Sequence, residues 1–256
     1  MQKIEGILLS KTPYGDKHII SNLLLRNGEQ VALMFYGAQA GKKTKTSQLE
    51  IGSVFKIDLQ HKNSNSSEMY IVKEWIATWV PRAIRENHDS FFLASFYLEL
   101  LKKIAIKTEL QVGNLEHEGL FRVGSNALFY LEESLQKKVF EKQTHLTLFL
   151  VKLIFESGVI PQLEHCLFCE RELSHQEKLH FDRKEGGFIC TYCQTSASVK
   201  EAQVYRFFKR AITLKYTDYE KMQNSENHIN QELMDYLCYQ LRFSLQDFKT
   251  LPMLFT

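Results

Sequence analysis

Two short segments decide the fold of this chain: Cys166-Leu167-Phe168-Cys169 and Cys190-Thr191-Tyr192-Cys193. Twenty residues separate the two cysteine pairs. A Cys-x-x-Cys turn directs two sulfurs at one point, and a second such turn completes a tetrahedron, which is typical of a structural zinc site. Four cysteine ligands leave no open coordination position. The pattern therefore predicts a zinc ion that stabilises the fold and does not activate water.

Other interpretations of these cysteines remain open. Two disulfides would require an oxidising compartment, but residues 1–5 (MQKIE) begin no apolar signal segment, so we expect a reducing cytoplasm. A redox motif would have one Cys-x-x-Cys in a βαβ context, whereas this chain has two and no such context. A metal-free or redox role is therefore the weaker alternative. The fifth cysteine, Cys238, lies in an aromatic-rich segment and is expected to be buried and inert.

Length and composition allow one large or two smaller domains. The chain has 256 residues, 44% of them hydrophobic, and a formal net charge of +2. The positive charge is concentrated in the first 80 residues, and the remainder is close to neutral. No run of eighteen apolar residues occurs, so no membrane span is expected.

The first 80 residues have the pattern of a small β-barrel. Candidate strands lie at residues 4–9, 19–25, 31–36, 54–59 and 69–75. Asn27-Gly28 indicates a tight hairpin turn, because both residues tolerate positive φ. Closing five strands into a barrel removes the sheet edges, and the OB-fold, which often binds single-stranded nucleic acid, is the commonest solution of this size. We therefore predict an OB-fold domain at residues 1–80.

After Pro81 the hydrophobic period changes from two to about 3.6, which indicates helices. Asp89 or Ser90 is available as N-cap of the first helix. Further helices are predicted within residues 115–136, 146–157, 199–214 and 231–246, and short strands at 179–182 and 186–189. The resulting fold class is α+β: an N-terminal five-stranded OB barrel, then a helical domain at 81–256 with an embedded four-cysteine zinc segment at 163–196.

The candidate nucleic-acid contacts lie in the barrel. Lys42, Lys43 and Lys45 occupy a segment rich in Gly, Thr and Ser, with no acidic residue between positions 30 and 49. Such a segment can follow a phosphate backbone without reading its sequence, although solvated surface lysines are the plainer explanation. Tyr14, Tyr36 and Phe35 are candidate base-stacking residues, and Tyr14, which lies beside a turn, is the best candidate for exposure. By alternation, one of Phe35 and Tyr36 faces the core. Lys17 and Arg26 would extend the positive surface.

No catalytic pattern is present. The sequence lacks a phosphate-binding Gly-x-x-x-x-Gly-Lys-Ser/Thr loop, a Gly-x-Gly-x-x-Gly turn and a His-Glu-x-x-His motif. Glu116, Glu118, Glu132 and Glu133 lie on predicted helices and are expected to be solvated. We therefore expect a protein that is not an enzyme.

Several segments together resemble the bacterial recombination-mediator family RecO. The resemblance covers nearly the whole chain, and its carriers are residues 8–16 (LLSKTPYGD), 23–29 (LLLRNGE), 36–38 (YGA), 155–169 (FESGVIPQLEHCLFC) and 186–193 (GGFICTYC). Two regions depart from the family pattern. Gln39 and Ala40 occupy a region where a dense Arg/Lys run is common, and Glu170 stands where glycine is common after the second cysteine.

The resemblance implies a DNA repair and recombination role at the bacterial nucleoid. It implies a protein that binds single- and double-stranded DNA through the barrel and anneals complementary strands. The implied partners are RecR, the C-terminal tail of the single-strand-binding protein, RecF, and the RecA recombinase that is loaded onto coated single strands. A protein-interaction scaffold with a zinc ribbon and no direct DNA binding is the alternative.

Overall fold

The computed structural model describes residues 2–38, 49–60, 69–107, 118–222 and 226–254. The chain forms two compact units, Met1–Gln136 and Lys137–Thr256. The first unit thus contains the barrel and also the helices that directly follow it. The boundary between an OB-fold domain at residues 1–80 and a helical domain at residues 81–256 stays a prediction. It falls directly after the last barrel strand, within the first compact unit.

The first unit begins with five strands, β1 (Gln2–Tyr14), β2 (His18–Leu25), β3 (Gln30–Phe35), β4 (Val54–Leu59) and β5 (Tyr70–Trp79). They close into a barrel in the order β1-β2-β3-β5-β4. All strand pairs are antiparallel except β3 with β5, which pair in parallel where Leu33 faces Tyr70. The predicted five-stranded barrel is confirmed, and its closure and size fit the OB-fold.

Side-chain alternation explains why these strands close around one core. Leu23, Phe35 and Phe55 are completely buried inside the barrel, while Tyr36 is 55% exposed. The predicted split between Phe35 and Tyr36 is therefore confirmed. The hairpin between β2 and β3 also turns where predicted: Gly28 has φ +81°, in the left-handed region that favours glycine.

Three helices complete the first unit: α1 (Ala83–Glu86), α2 (His88–Ile104) and α3 (Gly119–Gln136). The N-cap of α2 is Asn87, whose side chain accepts a hydrogen bond from the Ser90 amide, so the predicted cap at Asp89 or Ser90 is wrong. The helix starts before the predicted cap residues, because His88 and Asp89 already belong to its first turn.

Glu132 on α3 does not lie on a solvated face, as the sequence led us to expect. Its side chain is 5% exposed, and its carboxylate accepts hydrogen bonds from the backbone amides of Arg82, Ala83 and Ile84 at 3.0, 2.8 and 2.9 Å. These amides belong to the start of α1 and have no partner within that helix. The carboxylate therefore caps α1 from a distant point of the sequence.

The second unit contains α4 (Lys142–Glu156), a two-stranded sheet of β6 (Leu179–Asp182) and β7 (Gly187–Cys190), α5 (Val199–Thr213) and α6 (Asn227–Leu241). Helix α4 is buried nearly all round and packs against both α5 and α6, as its continuous apolar sequence predicted. Helix α6 ends five residues before the predicted end, because Arg242 adopts the left-handed conformation. Among the described residues, no helix is long and apolar enough to cross a membrane.

Candidate metal centre and nucleic-acid interface

The four paired cysteines meet at one point of the second unit. The sulfurs of Cys166, Cys169, Cys190 and Cys193 all lie within 4.8 Å of one another. Cys166 and Cys190 are buried, whereas Cys169 and Cys193 are exposed. The cluster therefore lies at the surface, with one member of each pair facing inward.

Local backbone geometry explains this convergence. The two cysteine turns are joined across the sheet, because the Leu167 amide donates to the Phe188 carbonyl oxygen at 3.1 Å. The first turn closes on itself where the Glu170 amide donates to the Cys166 carbonyl oxygen at 3.1 Å. Glu170 has φ +56°, a left-handed conformation. That conformation is the physical reason why glycine suits this position, and a glutamate adopts it at some cost in strain.

The donor set fits a tetrahedral metal ion. Zinc–sulfur bonds of about 2.3 Å would place neighbouring sulfurs roughly 3.8 Å apart, and the sulfurs of Cys169 and Cys190 lie 3.6 Å apart. The Cys190 amide donates to the Cys166 sulfur at 3.4 Å, a hydrogen bond that favours a thiolate. The four cysteines therefore form an arrangement compatible with a metal site.

The thiol pKa values of two cluster members shift in opposite directions. Burial opposes ionisation of Cys166, but amides of Cys190, Phe168 and Cys169 outweigh it and lower the Cys166 pKa to about 6. A hydrogen bond with Cys169, together with burial, raises the pKa of Cys193 to about 12. Four thiolates so close together repel one another, so full ionisation requires a cation among them.

One end of the barrel carries an exposed aromatic cluster. Tyr14 ends β1 and pairs with His18 at the start of β2, and the ring centroids of His18 and Tyr36 lie 4.7 Å apart in an edge-to-face arrangement. Tyr14 and Tyr36 are 53% and 55% exposed. Lys17 lies exposed in the turn between β1 and β2. We refer to Tyr14, Lys17, His18 and Tyr36 as the barrel-end cluster.

The remaining predicted contacts divide into two groups. Arg26 lies at the opposite end of β2, where its guanidinium contacts Glu5 at 3.4 Å, Glu118 at 3.9 Å and the ring of Phe121. Its position therefore ties β1 to the start of α3 and does not bring it to the barrel-end cluster. Lys42, Lys43 and Lys45 lie outside the described residues.

Ala38 and Leu49 are the described residues on either side of the lysine segment. Ala38 follows Tyr36 by two residues, and the Leu49 carbonyl oxygen accepts a hydrogen bond from the Lys11 ammonium at 2.8 Å. Tyr36 was considered as a base-stacking residue in the sequence, whereas His18 was missed as a contact candidate. The available signal was the pairing of the two strand ends, which places residue 18 opposite residue 14 and beside residue 36.

Comparison with known proteins places the chain in a family. The model of the C-terminal region of recombination protein O matches residues 85–251. A DNA repair protein RecO from Halalkalibacterium halodurans is 25% identical over 191 residues, which cover 75% of this chain and 68% of that protein. The protein of the same name from Bacillus pumilus is 27% identical over 193 residues, with the same two coverages.

A third relative extends the match. The DNA repair protein RecO from Syntrophus aciditrophicus is 22% identical over 203 residues, covering 78% of this chain and 72% of that protein. The family model alone covers more than half of the chain. The barrel, the helices and the four-cysteine cluster agree with the fold expected from the resemblance. The chain therefore belongs to the RecO family of DNA repair and recombination proteins.

Proposed function

We propose that this chain is a recombination mediator that binds single- and double-stranded DNA and anneals complementary strands. Together with RecR it would help to load RecA onto single strands coated by the single-strand-binding protein. The observation that carries the proposal is the barrel-end cluster, which places the exposed tyrosines and Lys17 together on a closed five-stranded barrel. Bases stack on exposed aromatic rings irrespective of sequence, and cations neutralise the backbone.

The proposed annealing activity needs no catalysis. Lysines reduce the phosphate repulsion between two strands, and base pairing supplies the driving force. Lys42, Lys43, Lys45 and Lys17 enter this proposal as phosphate contacts, and Tyr14 enters it as a base-stacking residue. Arg26 is the weakest member of the proposed set, because two carboxylates already contact it.

The cysteine cluster has a structural role in the proposal. Cys166, Cys169, Cys190 and Cys193 would hold zinc, because four thiolates within 4.8 Å match its preferred ligand type and number. The bound ion would supply folding energy to a loop-rich segment that has little core of its own. RecR, the tail of the single-strand-binding protein and RecF are the proposed partners, and the bacterial cytoplasm at the nucleoid is the proposed setting.

Fluorescence anisotropy of a labelled single-stranded oligonucleotide tests the barrel-end cluster. The double variant Tyr14→Ala, Tyr36→Ala should bind about tenfold or more weakly, because stacking contributes about 1–3 kcal/mol per base. Phe91→Ala is the matched control, since Phe91 is similarly exposed in the same unit but lies on α2. Equal affinity of wild type and double variant would remove the cluster from the DNA site. Absence of any binding would favour the scaffold without DNA binding.

A further inference from the structure

Each of the two cysteine turns presents an exposed aromatic side chain at the same position. Phe168 directly precedes Cys169 and is 68% exposed, and Tyr192 directly precedes Cys193 and is 75% exposed. The sulfurs of Cys169 and Cys193 lie within 4.8 Å of each other. The two rings therefore project from one small region of the surface, where a metal-clamped pair of turns would hold their backbones in place.

A guanidinium already stacks on one of these rings. The Arg171 guanidinium carbon lies 3.8 Å from the centroid of Tyr192. A planar cation in this position orients the ring and leaves its other face to solvent. Stacked Arg and aromatic planes are the surfaces on which unpaired bases are bound in single-stranded nucleic-acid complexes.

A cationic pocket on α5 lies next to this region. Arg206, Lys209 and Arg210 occupy one face of the helix and, with Tyr205 and Ser174, line an open pocket of about 330 Å³. The Arg210 guanidinium donates to the Lys221 carbonyl oxygen, and Lys209 contacts Glu164 at 3.4 Å. Arg206 is exposed to solvent. Three cations on one helical face can bind phosphate groups.

A short two-stranded ribbon connects the pocket with the aromatic turns. The Cys166 amide donates to the Arg171 carbonyl oxygen at 2.8 Å, and the Leu173 amide donates to the Glu164 carbonyl oxygen at 3.1 Å. Lys209 therefore contacts the ribbon two residues from Cys166, which is roughly 7 Å along an extended chain. The ribbon thus links the cysteine turn that carries Phe168 with the helix that carries the cations.

We propose that Phe168, Tyr192 and Arg171, with the α5 cations Arg206, Lys209 and Arg210, form a second binding surface for single-stranded nucleic acid. Bases stack on the aromatic turns, and the phosphates next to them lie over the α5 pocket. The inference goes beyond the barrel site but rests on the proposed DNA-binding role of this chain. A chain with two such surfaces can hold two strands at once.

The shape of the surface favours nucleic acid over an acidic peptide as the occupant. The aromatic rings point outward and offer flat faces, whereas a peptide anchor requires a concave apolar pocket. Glu164, Glu170 and Glu172 lie beside the surface and weaken its attraction for phosphate. Stacking therefore contributes more to binding here than charge, and the salt dependence should be shallower than at the lysine-bearing barrel.

The test uses the full chain with its barrel site weakened. The background variant carries Tyr14→Ala and replaces Lys42, Lys43 and Lys45 by glutamate. Its residual binding of a labelled eight-nucleotide oligothymidine is measured by anisotropy at low salt, with zinc supplied. Adding Phe168→Ala and Tyr192→Ala should weaken this residual binding about tenfold or more. The matched control adds Phe155→Ala and Tyr239→Ala, a pair with the same chemistry and about half-exposed side chains in the same unit. This control should leave the binding unchanged.

Circular dichroism and zinc content verify that every variant is folded. The proposal is overturned if the aromatic-turn variant and the control variant lose oligonucleotide affinity equally, or if neither variant loses affinity. So does weakened binding of a glutamate-rich peptide without weakened oligonucleotide binding, because the surface would then dock protein. A failure of the barrel site has a different signature: in the wild-type chain, Tyr14→Ala and Tyr36→Ala would leave affinity unchanged, while Phe168→Ala and Tyr192→Ala would abolish it.

Discussion

His145 shows how a single buried side chain couples stability to pH. It lies on α4 with its ring between Phe140 and Tyr219, at centroid distances of 5.9 and 5.1 Å. Its Nε2 atom has no hydrogen-bond partner within the part of the chain that the structure describes. Burial lowers the pKa of His145 from 6.5 to about 4. The folded state therefore holds this imidazole neutral at pH values where the unfolded chain binds a proton.

We predict that the second unit loses stability as the pH falls from about 6.5 towards 4. Over this range the unfolded chain carries the additional proton, so the free energy of unfolding falls by up to ~1.4 kcal/mol per pH unit. His145→Phe should remove this part of the slope, because phenylalanine has no titrating group and suits an aromatic environment. Urea denaturation at pH 7, 6 and 5, followed by circular dichroism, measures the difference between the two proteins.

The comparison with His145→Phe is needed because protons also displace metals from cysteines at low pH, which lowers stability by a second route. That effect is shared by both proteins and cancels in the comparison. Parallel stability curves for wild type and His145→Phe between pH 7 and 5 would show that His145 is not the group responsible.

At the scale of elements, Gly124 sets how closely α3 approaches its neighbours. A Cβ atom at this position would lie 2.7 Å from a methyl carbon of Leu101 on α2 and 3.4 Å from one of Ile7 on β1. Leu101 is completely buried, so its side chain has little room to move away. The glycine therefore permits α3 to pack against both the barrel and α2.

We predict that Gly124→Ala destabilises the first unit by about 1 kcal/mol. Overpacking costs about 1–3 kcal/mol, and the better helix propensity of alanine recovers only up to about 1 kcal/mol. Asn126→Ala, two residues along the same helix at a partly exposed position, is the control and should be neutral or stabilising. Thermal unfolding followed by circular dichroism compares the two. A Gly124→Ala protein as stable as Asn126→Ala would contradict the close-packing account.

The elements themselves were largely predictable from local sequence, because strand alternation and helical periodicity repeat over many residues. All five barrel strands and the apolar α4 follow from such patterns. Long-range contacts were not predictable. Glu132 resembles any solvated helical glutamate, and only the fold shows that amides 48 to 50 residues away require its carboxylate.

The same distinction applies to the candidate sites. The four cysteines could be predicted as one cluster because two short turns fix most of its geometry. Tyr14, Tyr36 and Lys17 could be named as candidates from the sequence, but His18 joins them only through strand pairing. Arg26 appeared to be a surface cation in the sequence, whereas its two carboxylate contacts come from β1 and the start of α3.

At the scale of the whole molecule, tryptophan emission distinguishes the first compact unit from the second. Both tryptophans, Trp75 and Trp79, lie on β5 in the first unit, while the four-cysteine cluster lies in the second. Tryptophan fluorescence therefore reports on the barrel. Circular dichroism at 222 nm reports on the described helices of both units, α1 to α3 in the first and α4 to α6 in the second.

We predict that metal removal destabilises the second unit by several kcal/mol and leaves tryptophan emission at 25 °C unchanged. A structural zinc site contributes directly to folding free energy, and the contribution disappears with the ion. A chelator, or Cys193→Ser, should lower the unfolding midpoint of the helical signal. Cys238→Ala is the control, because Cys238 lies on α6 outside the cluster, and this variant should retain its zinc. An unchanged midpoint after complete chelation would argue against a structural metal.

The central claim concerns DNA binding by the barrel of this RecO family member. The most direct measurement is the anisotropy of a labelled single-stranded oligonucleotide at several salt concentrations, for wild type and for the triple variant Lys42, Lys43 and Lys45→Glu. The account predicts tight wild-type binding that weakens steeply as salt rises, and weaker triple-variant binding with a shallower salt dependence. No wild-type binding at low salt, or the same affinity and slope in both proteins, would contradict it.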